Sequence, residues 1–116
     1  MSAPRKRAGT AQTVSYAPVF SALGDETRLK LIGALCAGGP MSITRLTEGT
    51  RFTRQAVTKH LRVLAAVGLA RDIRSGRERL WRFEPTPLDE ARRSLDAIGA
   101  QWDRALLRLK ASVEED

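Results

Sequence analysis

Reactive side chains are scarce in this 116-residue chain, which has one cysteine, Cys36, and one histidine, His60. A lone cysteine cannot close an internal disulfide, and a structural zinc site normally takes four ligands. Pairing of two copies would bring together at most two of each residue, and no spacing in the sequence suggests such a cluster. There is no Gly-rich phosphate loop, no G-x-S-x-G and no H-E-x-x-H, and only one histidine is present to act as a general base. Neither a catalytic site nor a metal or cofactor is therefore expected. No apolar run reaches the roughly 18 residues that span a bilayer. The start, "MSAPRKRAGTAQTVSYAP", is basic but has no apolar signal-peptide core behind it. The expectation is a cytoplasmic protein with no membrane partner.

What is present is positive charge. The chain carries 20 Lys+Arg against 13 Asp+Glu, a formal net charge of +7, which favours a polyanionic partner. The excess is local: residues 42–83 hold 10 basic and 3 acidic side chains, whereas residues 84–116 hold 5 basic and 8 acidic. A composition 42% hydrophobic and 28% charged suits a folded helical domain. At this length there is room for one modest core, and a second copy sharing a buried surface is a common remedy.

Residues 1–15 lack periodicity and read as a flexible basic tail, with one domain over 16–116. A short helix is predicted from about Pro18 to Leu23. In "GDETRLKLIGALCAGGP", Asp25 is placed to cap a second helix. Leu29, Ile32, Leu35 and Cys36 are predicted as its core stripe, and Gly38, Gly39 and Pro40 end it. Ser42 can cap a short helix carrying Ile43 and Leu46 inward as far as Gly49, and Thr53 a longer one to about Val67, stopped by Gly68. Two helices joined by a short Gly-containing link match a helix-turn-helix. The segments "LARDIR" and "ERLWRF" around "SGR" predict a two-stranded hairpin, after which Pro85 and Pro87 break the chain. From Leu88 to about Val113, Leu88, Ala91, Leu95, Ile98, Trp102, Ala105 and Leu109 recur at spacings of 3 and 4, a seam like a coiled-coil edge. The economical reading is that it packs partly on its own domain and partly on a second subunit. Asp89, Glu90, Asp96 and Asp103 form its solvated side.

At about 100° per residue, Val57, Leu61 and Leu64 share one face of the Thr53–Val67 helix. Gln55, Lys59 and Arg62 point away, and Arg54 and Thr58 flank the first turns. The helix contains no acidic residue. Arg suits guanine O6 and N7, Gln suits adenine N6 and N7, and Thr, Lys and a helix N-terminus suit phosphates or thymine methyls. The expected duplex-DNA contacts are thus Thr53, Arg54, Gln55, Thr58, Lys59 and Arg62. His60, at the border of the inward face, is expected to pack against a neighbouring helix or donate to a phosphate. The hairpin adds Arg71, Arg74, Arg77, Arg79 and Arg82 against Asp72 and Glu78, a density suited to a phosphate backbone or minor groove. Arg74, Ser75, Gly76, Arg77 and Arg79, around the tip, are its expected contacts. Trp81 and Phe83 are expected in the core.

The order "ALGDETRLKLIGAL", "TRQAVTKHLRVLAAVGLA", "RSGRERLWRFEP" and a long terminal helix resembles the ArsR-type family of small winged-helix repressors, over about Phe20 to Val113. The phrase "VTKHLRVLAAVGL" is its specific part. The resemblance implies a mainly α winged helix-turn-helix with a small β-hairpin wing, dimerising through its first and last helices. It implies a recognition helix over Thr53–Val67, a wing over about Ala70–Phe83, and repression at an inverted repeat. It also implies an interface including Phe20 together with the Leu88, Ala91, Leu95, Ile98, Trp102, Ala105 and Leu109 seam. The family's usual metal sites, cysteine pairs before the recognition helix or Asp/His/Glu clusters on the last helix, are missing: "MSITRLTEG" has no Cys and the last helix no His. Any effector, small molecule or protein, is not legible in the sequence. Two alternatives stay open, a protein-interaction module docking through the terminal helix and, ranked lower, an RNA binder.

Overall fold

Side-chain oxygens cap three helices at the positions that the spacing predicts, in a computed structural model that describes residues 16–115. The expected basic tail, residues 1–15, lies outside the described residues. Helix α1 (Ala17–Leu23) carries Pro18 in its first turn, where a missing N–H is harmless. Asp25 caps α2 (Glu26–Gly38), its carboxylate accepting the Arg28 N–H at 2.9 Å. Ser42 caps α3 (Ile43–Glu48) by accepting from the Arg45 N–H at 3.2 Å. Thr53 caps α4 (Arg54–Ala66) by accepting from the Ala56 N–H at 3.1 Å. Each cap satisfies an N–H that the first helical turn leaves without a partner.

The sheet has one strand more than the hairpin expected. Strands β2 (Ala70–Ser75) and β3 (Glu78–Phe83) pair antiparallel, and a two-residue strand β1 (Met41–Ser42) adds to the free edge of β3, with Met41 opposite Trp81 and Ser42 opposite Leu80. Two residues are too few to show an alternating pattern, so nothing in the sequence announces β1. Helix α5 (Thr86–Glu115) then runs for 30 residues, about 45 Å. Its start corrects the expected break: Pro87 sits inside the first turn, which tolerates proline, and does not precede the helix.

Val57, Leu61 and Leu64 of α4 and Leu69 after it are wholly buried, against Leu31, Ile32 and Leu35 of α2, Val19 and Ala22 of α1, Leu46 of α3 and Trp81 of β3. Trp81 is in the core as expected, and Phe83 packs against it half-buried. Helix α2 corrects the predicted stripe. Its core face is Leu31, Ile32 and Leu35, while Leu29 is 52% exposed and Cys36 is also exposed. The helix is apolar on nearly every side, so spacing alone did not choose the face.

Helix α4 ends in a Schellman turn: the Leu69 N–H donates to the Leu64 carbonyl and the Gly68 N–H to the Ala65 carbonyl, both at 3.0 Å. Gly68 has φ +81°, and a Cβ there would lie 3.2 Å from Pro87 Cγ of α5. Gly68→Ala is expected to lower stability by about 1–2 kcal/mol from the left-handed backbone alone. Urea unfolding of both forms checks this, and an unchanged midpoint would contradict it.

Candidate nucleic-acid interface

Because Val57, Leu61 and Leu64 point inward, the opposite arc of α4 is turned to solvent. Arg54, Gln55, Thr58, Lys59 and Arg62 line one shallow surface on that arc. Arg54, Gln55, Lys59 and Arg62 are exposed and Thr58 is half-exposed. Five of the six expected helix residues are thus brought together. The sixth, Thr53, uses an oxygen lone pair as the helix cap, which leaves its O–H free to donate outward. The Thr58 hydroxyl donates to the Arg54 carbonyl at 2.7 Å, so its methyl and its two oxygen lone pairs are what it offers a ligand.

Between α4 and the hairpin lies a cleft of about 600 Å³, with Arg54, Thr58 and Arg62 on the helix side and Asp72, Glu78 and Arg79 on the strand side. The β2–β3 register sorts the hairpin's arginines by face, because neighbours along a strand alternate sides. Arg74 and Arg79 are opposite one another, on the same side as the Asp72–Trp81 and Ala70–Phe83 pairs. Arg71 and Arg82 pair on the other side. Gly76, with φ +63°, opens the two-residue loop, a position that favours glycine in a tight hairpin, and Arg77 completes it.

The arginines also differ in their partners. Arg82 holds the Glu84 Oε1 atom through Nη2 at 2.6 Å and Nε at 3.1 Å, and Arg71 Nε lies 3.8 Å from the same oxygen. Arg79 Nε is 3.4 Å from the Asp72 carboxylate. Arg74 and Arg77 are in no ion pair among the described residues. The two arginine side chains without an ion pair are thus toward the tip, where Glu78 too has none among the described residues. Arg79, expected as a contact, is shared with Asp72.

The terminal-helix seam divides in two. Ala91, expected at the interface between subunits, is 1% exposed and belongs to the chain's own core. Phe20 and Leu88 are half-buried against that core. The first turns of α5 lie on the domain, turned so that Ser94, a polar residue outside the predicted stripe, is buried too. The seam then leaves the domain: Leu95 is 53% and Trp102 61% exposed, with Ile98 and Leu109 exposed and Ala105 half-exposed between them. Leu106 and Val113, absent from the predicted seam, are exposed along the same side. The carboxylates Asp89, Asp96 and Asp103 are on the solvated side.

A helix-turn-helix domain family model matches residues 23–73, which runs from the end of α1 into β2. The HTH-type transcriptional regulator Rv2034 of Mycobacterium tuberculosis is 36% identical over 87 residues, 75% of this chain and 78% of that one. An ArsR-like transcriptional regulator from Rhodococcus sp. RHA1 superposes with a TM-score of 0.75 at 38% identity, covering 84% of this chain and 92% of its own. The chain belongs to the ArsR family. A second solved structure, that of the AntR antimony-specific transcriptional repressor, gives a TM-score of 0.60 at 27% identity and covers 85% of this chain and 90% of that one.

In this ArsR-family transcriptional regulator the matched segment takes in α2, α3 and α4, and with the small antiparallel sheet beside them the chain is a winged helix-turn-helix. No group of three or more His, Cys, Asp or Glu side chains able to hold a metal occurs among the described residues. None of the helices described is long and apolar enough to cross a membrane. Two features escaped sequence reasoning. One is Glu84, whose N–H also donates to the Leu69 carbonyl at 2.9 Å and so closes the base of the hairpin. The other is a polar cluster of Asp25, Arg28 and His60 beside α4. The sequence signal for Glu84 was its position two residues after Arg82. The cluster gave none, since His60 is 32 residues from Arg28 and further still from Asp25.

The hydrogen bond from Arg82, with the Arg82 and Arg71 charges behind it, holds the Glu84 carboxyl below its ordinary range. A depressed carboxylate adds stability that is present above its unfolded pKa and is lost as pH falls through the folded one. Glu84→Gln is therefore expected to be less stable than the parent at pH 7, with the gap closing as pH drops below about 4. Urea midpoints at pH 7 and pH 3 measure it; a gap that does not narrow would contradict the assignment.

Proposed function

We propose that the chain is a homodimeric repressor that binds an inverted-repeat operator through α4 and the wing, without the metal motifs usual in its family. The observation that carries the DNA reading is the outer arc of α4: Arg54, Gln55, Thr58, Lys59 and Arg62 on one surface, in a helix with no carboxylate. A merely solvated face has no reason to exclude acidic residues over a whole helix. Arg and Gln supply paired donors and acceptors for base edges, and the tip arginines, Arg74 and Arg77, supply charge for phosphates. The AntR repressor, similar along most of its length, supports repression as the direction of control.

The dimer reading rests on the free half of α5. Leu95, Ile98, Trp102, Leu106, Leu109 and Val113 expose apolar side chains along a single helix, which a second copy of the same seam would cover. Two recognition helices held by such a dimer enter successive major grooves about one helical turn apart, so the operator is pseudo-palindromic. Bound protein then excludes polymerase sterically.

Fluorescence anisotropy against the chain's own upstream DNA and against random duplex, at two salt concentrations, tests the reading. A preference of about a thousandfold for the upstream DNA supports it, and equal affinity for both speaks against self-regulation. Arg77→Ala is expected to weaken binding to both duplexes and to reduce the salt slope by about one. Gln55→Ala is expected to lose about 1–3 kcal/mol at particular base pairs only. Equal losses on both duplexes for both variants would refute this division. Leu95→Asp is expected to sediment as a monomer with little operator affinity, and an intact dimer would remove the seam from the interface.

A further inference from the structure

Apolar contacts fix which face of helix α4 is buried, but they have no direction of their own, so they do not define its roll to within a few degrees. One polar arrangement beside it does have direction. The Arg28 side chain of α2 donates through Nε to the Ala22 carbonyl near the end of α1, at 2.6 Å. Through Nη1 it reaches His60 Nδ1 on α4, at 3.3 Å. A guanidinium can only donate, so Nδ1 accepts and the ring proton of a neutral His60 is on Nε2. The Arg28 backbone N–H is meanwhile bound by the Asp25 cap, and the Asp25 carboxylate lies 3.8 Å from the same imidazole nitrogen. Phe52, in the turn before α4, meets the imidazole edge to face with the ring centres 6.3 Å apart.

One side chain thus ties together α1, the start of α2 and the middle of α4. Helix α1 packs in turn against α5, the helix that carries the proposed dimer seam. His60 follows Lys59 directly and precedes Arg62 by two residues, so rotation at His60 moves both side chains relative to the duplex.

We infer that Arg28 is a positioning residue for DNA recognition, setting through its hydrogen bond to His60 the roll at which α4 presents its outer arc. The inference rests on the DNA-binding reading and deepens it. Base-edge contacts depend on the angle of a side chain, whereas phosphate attraction tolerates small rotations. Loss of the link therefore lowers discrimination between sequences and leaves nonspecific affinity unchanged.

The test uses the full-length protein, a duplex that it enriches from a random-sequence pool, and a scrambled duplex of the same length. The readout is the ratio of the two affinities in wild type, Arg28→Gln, His60→Leu and His60→Gln, with thermal unfolding and sedimentation run on each. His60→Leu cuts only the link to α4 and spares the contact of Arg28 with Ala22, so it decides the matter if Arg28→Gln does not fold. The expected result is a ratio about tenfold lower for His60→Leu, the scale of a hydrogen bond from a charged donor, with scrambled-duplex binding unchanged. His60→Gln keeps an acceptor facing Arg28 and is expected to restore most of the ratio. Adding His60→Leu to Arg28→Gln is expected to lower the ratio no further than Arg28→Gln alone, since the link between the two residues is already cut. An unchanged ratio in His60→Leu overturns the inference and leaves DNA binding standing. Equal loss on both duplexes also overturns it, by making His60 a phosphate contact. Failure of the wild-type protein to enrich any sequence overturns the DNA reading and the inference with it.

Discussion

Burial of one face of α4 is the constraint on which the rest depends. Val57, Leu61 and Leu64 are fully enclosed by α1, α2, α3 and the sheet, and with 3.6 residues per turn that commitment determines which residues remain outside. The outer arc is then free of core duties and can be made entirely of donors. A charged residue replacing Leu61 would do more than destabilise the core, because it would remove the reason that Lys59 and Arg62 face outward. Packing and site are thus two faces of one helix.

The wing follows a similar division of labour along its length. At its base the Glu84 backbone closes the hairpin onto Leu69, and the Glu84 carboxylate gathers Arg71 and Arg82. One carboxylate thus serves two arginines. Toward the tip Asp72 shares Arg79, and Arg74 and Arg77 have no ion-pair partner among the described residues. Exposed ion pairs contribute little stability, but they occupy the Arg71, Arg79 and Arg82 side chains and leave those of Arg74 and Arg77 free to reach a ligand. Counting arginines in the sequence measures total charge; the pairing decides which of their side chains are free.

Local chemistry was the most legible layer. The caps at Asp25, Ser42 and Thr53 and the Gly68 stop each depend on residues within a few positions, so both helices of the helix-turn-helix could be bounded from sequence. The outer arc of α4 was legible for the same reason, as its composition differs sharply from one side to the other. Helix α2 was misread because its apolar residues surround it, and the choice between Leu29 and Leu31 is made by neighbours the pattern does not contain. Strand β1 was too short to show a period. The Arg28–His60 bond joins residues 32 positions apart, and no helical or strand period reports a contact at that separation. Ala91 was placed between subunits because a seam with one spacing looks like one surface, whereas the domain covers its first turns and stops at Ser94.

That stopping point bears on how the proposed dimer would communicate with DNA. Beyond Ser94 no residue of α5 is buried in its own chain, so about twenty residues of helix have only propensity and a partner to support them, and propensity alone is marginal in water. A second copy on the seam would therefore order the distal half of α5 as it binds. The first turns of α5 would inherit that order through the continuous helix, and they contact α1, whose Ala22 carbonyl is held by Arg28. The path from the seam to α4 is then short: α5, α1, Arg28, His60. A change at the proposed dimer surface, whatever its origin, would need only to shift α1 slightly to reach α4.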